Sequence, residues 1–159
     1  MNKYLMLEPK DVFQIANILK NIDNDNKSFM SPYMENIDLT EQSIRIAMFD
    51  YKEIYFGILE DERFINIACL RVYPNPPFKI SSVELKLILN VNEFTKDFFV
   101  YIKNTVKNYF ANISKISIYD NHKKTISDTL ISLGFCKELT LDNEVGVGED
   151  VDVYSSFII

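Results

Sequence analysis

Between Lys79 and Phe135 the apolar pattern changes period again and again, and that succession constrains the fold more than any other stretch of the chain. Ile80, Val83, Leu85, Leu87 and Leu89 mostly alternate and predict a strand over Phe78 to Leu89, with the irregularity between Ile80 and Val83 suiting a bulge. Phe94, Phe98, Ile102, Val106 and Tyr109 or Phe110 then recur at helical spacing. Ile113 to Tyr119 reads as a buried strand, Lys123 to Leu133 as a second helix, and Gly134 as its left-handed C-cap. A strand-helix-strand unit presents a phosphate or cofactor at the N-terminus of its helix. Here the turn into that helix reads Asn90-Val91-Asn92-Glu93-Phe94-Thr95 and contains no glycine. The scaffold of a cofactor site is present, and its usual phosphate cradle is not.

The flanking segments complete a mixed pattern. Tyr4 to Leu7 predicts a short strand, and Glu8-Pro9-Lys10-Asp11 opens a helix running to about Ile22, with Val12, Ile15, Ile18 and Leu19 on its apolar stripe. A second helix is expected over Leu39 to Phe49, started by Asp38 with Glu41 or by Thr40. Glu53 to Glu60 and Arg63 to Tyr73 predict an antiparallel hairpin turning at Asp61-Glu62. Cys136 to Leu141 and Val151 to Ile158 predict two strands joined by an acidic, Gly-containing loop. No linker or internal repeat interrupts residues 1–159, which are expected to form one domain.

Composition removes several classes of function. A formal net charge of −6 argues against general nucleic-acid binding, which needs a basic face. Charge is uneven all the same: six lysines lie between Val91 and Lys124, and six acids against one lysine between Lys137 and Asp152. The apolar runs are too short to span a bilayer, and Glu8-Pro9 cuts off any signal-like N-terminal run, so a cytoplasmic protein without a membrane is expected. Cys69 and Cys136 read as core thiols, and one His with two Cys is too few for a structural zinc site, so no metal is expected.

The element order, β-α-α-β-β-β-α-β-α-β-β, together with a helix ending in Ser132-Leu133-Gly134-Phe135 before an antiparallel strand pair, resembles the GNAT superfamily of N-acetyltransferases. The resemblance covers almost the whole chain. It implies an α/β (α+β) fold with a central mixed sheet of about seven strands flanked by about four helices. It also implies acetyl-CoA as co-substrate, wedged where central strands part, with its pantetheine on the main chain of Leu87, Ile88 and Leu89. Its diphosphate would then lie on the amides of Glu93, Phe94, Thr95, Lys96 and Asp97.

The chain departs from the family at four positions. The two glycine positions of the phosphate motif fall on Glu93 and Thr95, and the family's thiolate-protonating Tyr falls on Leu130. The Asn near the start of the last helix falls on Lys123, with Asn121 close by. Glu84, inside an apolar strand, is the candidate general base, and Tyr119 is the nearest alternative acid. Alternation places Glu84 and Lys86 on one face, which reads as wet. His122 lies at an exposed helix start. Asp142, Glu144, Glu149, Asp150 and Asp152 fall where the family's substrate-facing loop lies, and would attract a cationic amine.

Two functions follow. The first is an N-acyltransferase that moves an acetyl group from acetyl-CoA to an amine of a small molecule or peptide. The second is a GNAT-shaped binding module without thioester chemistry. A monomer or a homodimer is expected, the dimer through an exposed last strand, Val151 to Ile158.

Overall fold

A computed structural model describes residues 2–22, 26–34, 39–72, 81–110 and 112–158. In chain order the strands are β1 (Lys3–Met6), β2 (Phe29–Met30), β3 (Glu53–Glu60), β4 (Arg63–Val72), β5 (Ser81–Ile88), β6 (Ile113–Asp120), β7 (Cys136–Gly146) and β8 (Glu149–Phe157). The helices are α1 (Val12–Leu19), α2 (Glu41–Phe49), α3 (Lys96–Tyr109) and α4 (Ser127–Ser132), with 3-10 turns at Pro9–Asp11 and Val91–Glu93. One mixed sheet runs β1-β3-β4-β5-β6-β8-β7, and β2 pairs with β5 off that path. Among the described strand pairings only β5 and β6 are parallel, with α3 as the crossover between them.

Strand alternation sorts the core onto the two faces of the sheet. Phe56, Ile58, Ala68, Leu70, Val83 and Leu85 meet Phe98, Phe99, Ile102 and Val106 of α3 and Leu130 of α4. Tyr55, Ile67, Cys69 and Leu87 meet Val12, Ile15 and Leu19 of α1 and Ile44 and Met48 of α2. The β3–β4 hairpin turns at Asp61 and Glu62, both at positive φ (46° and 64°), as a two-residue turn of matching twist requires. Gly134 closes α4 with φ 91°, while Phe135 N–H bonds Leu130 C=O and Gly134 N–H bonds Ile131 C=O. Phe135 is thereby aimed into the core, stacked on Phe99 at 4.8 Å.

Several expectations are corrected. β2 was not foreseen. The predicted start of the second helix at Asp38 lies outside the described residues, and Thr40 caps α2 through Ser43 N–H. The first helix stops at Leu19, three residues short of Ile22. The last helix begins at Ser127, later than Lys123, because Asp120 and Asn121 side chains bind the amides of His122 and Lys123 and hold that stretch in a turn. The irregularity expected at Ile80 to Val83 lies partly outside the described residues; the register shifts between Ser81 and Ser82 on the β6 side, and Lys86 is the extra residue on the β4 side. Cys69 is buried and Cys136 is exposed. The strand expected at the exposed end, β8, lies buried between β6 and β7, so the free edge belongs to β7.

Candidate active site

The two parallel strands part before β5 ends. In-register pairs between β5 and β6 end at Glu84 and Ser117. Beyond that point β6 stays with β8, and Lys86 bulges from the β4–β5 ladder between the pairs Leu70–Leu85 and Cys69–Leu87. The outer edge of β5 would then face an open wedge, and β2 fills it. Phe29 pairs with Ile88 and Met30 with Leu87, Ser31 N–H donates to Lys86 C=O at 2.8 Å, and Val91 N–H donates to Lys27 C=O at 2.8 Å. On the other side Leu87 and Ile88 pair with β4, and Leu89 N–H donates to Ile67 C=O. Leu87, Ile88 and Leu89, the expected pantetheine contacts, thus lie in ladders the chain makes with itself.

At the start of α3 the phosphate-side residues divide. Glu93 N–H bonds Asn90 C=O and Phe94 N–H bonds Val91 C=O, so both amides are spent inside the turn. Phe94 is buried against Phe98 and Phe99. Thr95 is the N-cap, its hydroxyl accepting from Phe98 N–H at 3.2 Å, which occupies a donor that an anion would use. Glu93, Lys96 and Asp97 are exposed. Lys103 lies over the Phe99 ring at 4.9 Å.

On the opposite face a polar row crosses the sheet in register, Glu53–Arg71–Glu84–Ser117–Ser155. Its face is not wet as alternation suggested: Glu84 and Lys86 are both at 0 % exposure, because α1, α2 and the residues around β2 cover it. Arg71 Nη1 stands 3.8 Å from Glu84 Oε2, Ser117 Oγ and Ser155 Oγ share a hydrogen bond at 3.0 Å, and Lys86 Nζ meets Glu53 Oε1. Tyr55 OH donates to Glu53 Oε2 at 2.9 Å.

Tyr119 stands two residues beyond Ser117, on the β6 wall of the wedge. Tyr33 packs edge-on against it at 5.1 Å and donates its hydroxyl to Glu144 Oε1 at 3.1 Å. Burial, and then the charges of Glu84 and Glu138, push the Tyr119 phenol up. Burial, then the bond to Glu144, pushes Tyr33 up to about 12. Both phenols therefore hold their protons at neutral pH, as a proton donor must. Leu130, at the family's tyrosine position, is a core residue under α4.

Asn121 lines two cavities, of about 440 and 370 Å³, on either side of the end of β6. In the larger one His122 Nε2 lies 2.8 Å from Asp152 Oδ2, while Lys137 Nζ and Thr140 Oγ1 hold Asp152 Oδ1 at 3.2 and 2.6 Å. Of the acidic hairpin residues, Glu144 alone meets Tyr33. Tyr33 and Arg71 were missed: alternation along β4 would have placed Arg71 opposite Leu70, whereas nothing around Ser31-Pro32-Tyr33 marks the tyrosine. Among the described residues no three His, Cys, Asp or Glu are placed to hold a metal ion, and no helix is long and apolar enough to cross a membrane.

No protein-family model matches the chain, and no curated protein matches it in sequence. Solved structures do. Spermidine N-acetyltransferase from Vibrio cholerae, in complex with CoA and spermine, aligns over 99 % of this chain and 95 % of its own at 19 % identity, with a TM-score of 0.68. Ribosomal-protein-S5-alanine acetyltransferase from Vibrio fischeri covers 99 % and 93 % at 17 % identity and 0.68, and an acetyltransferase of the GNAT family from Streptococcus pneumoniae covers 100 % of both at 11 % and 0.69. At identities of 11 to 19 % the likeness speaks for architecture, and by that architecture this chain has the fold of the GNAT-family acetyltransferases.

Proposed function

We propose that the chain is a GNAT-type N-acyltransferase that moves an acetyl group from acetyl-CoA to an amine of a small molecule or peptide. The supporting observation is the position of Glu84: a fully buried carboxylate at the last β5–β6 pair before the strands part, with Arg71 at 3.8 Å and with the phenols of Tyr33 and Tyr119 within reach of its charge. A carboxylate there is suited to take the proton an ammonium must lose before its nitrogen attacks. Tyr119, held protonated on the facing wall, is suited to donate one. The acidic strand β7, bearing Glu138 and Glu144, favours a cationic acceptor. The spermidine N-acetyltransferase and the ribosomal-protein-S5-alanine acetyltransferase among the structural neighbours agree with an amine acceptor.

Acetyl-CoA does not fit the cleft as it stands. The β5 edge is taken by β2, the amides of Glu93 and Phe94 are bonded within their own turn, and Thr95 carries a side chain that caps α3. This favours a second reading, a GNAT-shaped binding module without thioester chemistry. One assay separates the two. With acetyl-CoA and a panel of polyamine and peptide amines, the first reading predicts release of free thiol, and Glu84→Gln lowers kcat/KM by about 10²- to 10⁴-fold without lowering the thermal shift given by CoA. No thiol release and no shift with millimolar CoA would leave the binding module standing.

A further inference from the structure

One part of the misfit at the cleft, the occupied β5 edge, has a specific structural origin in a short segment of the chain. Among the described residues, the segment Lys27 to Tyr33 lies in the wedge between β5 and β6, and its β2, two residues long, extends the sheet from β5 alone among the described strand pairings. Its main-chain bonds run from Lys86 on β5 to Val91 in the turn that follows it. On the β6 side it is held by side chains: Tyr33 against Tyr119 and Glu144, and Ser28 Oγ accepting from Lys124 Nζ at 3.2 Å. The cavity of about 370 Å³ lies between these two sides, lined by Ser28, Phe29, Met30, Asp120 and Asn121 among others. A second, of about 90 Å³, lies between Lys27 and Ser28 on one side and Val91 and Asn92 on the other.

We propose that residues 27–33 are a strap that occupies the place of an extended, amide-bearing ligand on β5, and that a coenzyme A thioester enters only by exchange with it. This rests on the acyltransferase reading above and deepens it. The chemistry is that of strand addition: an unpaired sheet edge takes any extended chain that offers donors and acceptors at strand spacing. The strap supplies its own peptide groups, and the amides of a pantetheine arm are of the same kind. The same segment also covers the acid-base site, since Tyr33 packs on Tyr119 and bonds Glu144 on the β6 side of the wedge while Ser31 is tied to Lys86 on the β5 side, two residues from Glu84. Opening therefore frees the thioester edge and the acceptor path together. Closure draws on Phe29, buried in the main core cluster, so the open form is a minor one. Apparent affinity for the thioester is reduced by the fraction open, and weakening the strap raises it.

The test follows the Ser31 amide. CoA added to the wild-type protein is expected to raise hydrogen exchange at Ser31 N–H at least tenfold, because its acceptor on Lys86 is handed to the ligand. Ser31→Pro, which deletes that donor, is expected to tighten CoA binding about tenfold. Tyr33→Phe, which keeps the ring on Tyr119 and drops the bond to Glu144, serves as a milder variant and moves affinity in the same direction. CoA binding that leaves Ser31 protected and is unchanged in both variants overturns the strap and leaves the acyltransferase reading intact. Failure of CoA to bind the wild type and both variants at millimolar concentration overturns that reading, and the strap with it.

Discussion

Lys86 Nζ lies where water does not reach, and its partners explain how it is accommodated. Its Nζ meets Glu53 Oε1, and Tyr55 OH engages the other oxygen of that carboxylate. Removing one member of such a pair leaves the other charge uncompensated. Lys86→Met is therefore expected to lower unfolding free energy by about 3 kcal/mol, and adding Glu53→Leu to recover most of the loss. Urea denaturation of both variants checks this; a double mutant as weak as the single one would show that the pair is not what holds this region. Gly134 is constrained differently. A Cβ added there would meet nothing within 4 Å, so Gly134→Ala tests backbone conformation alone at φ 91°. The expected cost is about 1 kcal/mol, or a Tm lower by about 2–4 °C.

At the scale of elements, α3 carries the site's clearest conflict between stability and binding. Thr95 caps the helix by accepting from Phe98 N–H, and an arriving phosphate would ask for donors of the same helix end. Thr95→Ala should cost about 1 kcal/mol of stability, while Thr95→Gly should cost only a few tenths and, by clearing the side chain, tighten CoA binding. Calorimetric titration alongside melting separates the two effects; equal CoA affinity in Thr95→Gly and wild type would place the phosphates elsewhere. The sequence announced α3, the β3–β4 hairpin and the Gly134 cap because each depends on short-range chemistry: an apolar stripe, a two-residue turn, a positive φ. It did not announce β2, since two residues have no period. Nor did it announce the burial of Glu84, because alternation says which face a side chain takes and not what α1, α2 and residues 27–33 lay over it. The interior place of β8 was hidden for a related reason: chain order does not fix the order of strands in a sheet, and β8 returned between β6 and β7.

Across the whole molecule the buried titrating groups give acid and alkaline pH opposite characters. On the acid side two carboxylates oppose each other. Burial raises Asp120. Burial would raise Asp152 too, yet Thr140, Lys137 and His122 together bring it below its ordinary value. Asp152 contributes stability that is lost as pH falls through its lowered pKa, whereas protonating Asp120 relieves a cost, so the two partly cancel. On the alkaline side the signs agree. Burial raises Tyr33, Tyr55, Cys69, Tyr119 and Tyr154 alike, so the folded chain binds more protons than the unfolded one once pH passes the ordinary thiol and phenol values. Their stabilising contribution is complete below those values and is lost as pH rises toward the folded ones, about 12 for Tyr33. A chain already at −6 also gains negative charge on that side, which adds self-repulsion. Stability measured by urea midpoint should therefore hold from neutrality to about pH 9 and fall steadily above it, with phenolate absorbance showing late-titrating tyrosines until unfolding. Tyr33→Phe should make the decline shallower, because that residue no longer titrates. A midpoint flat to pH 11, or a decline equally steep in Tyr33→Phe, would mean that the phenols packed against β6 and β8 are not the groups that couple this fold to pH.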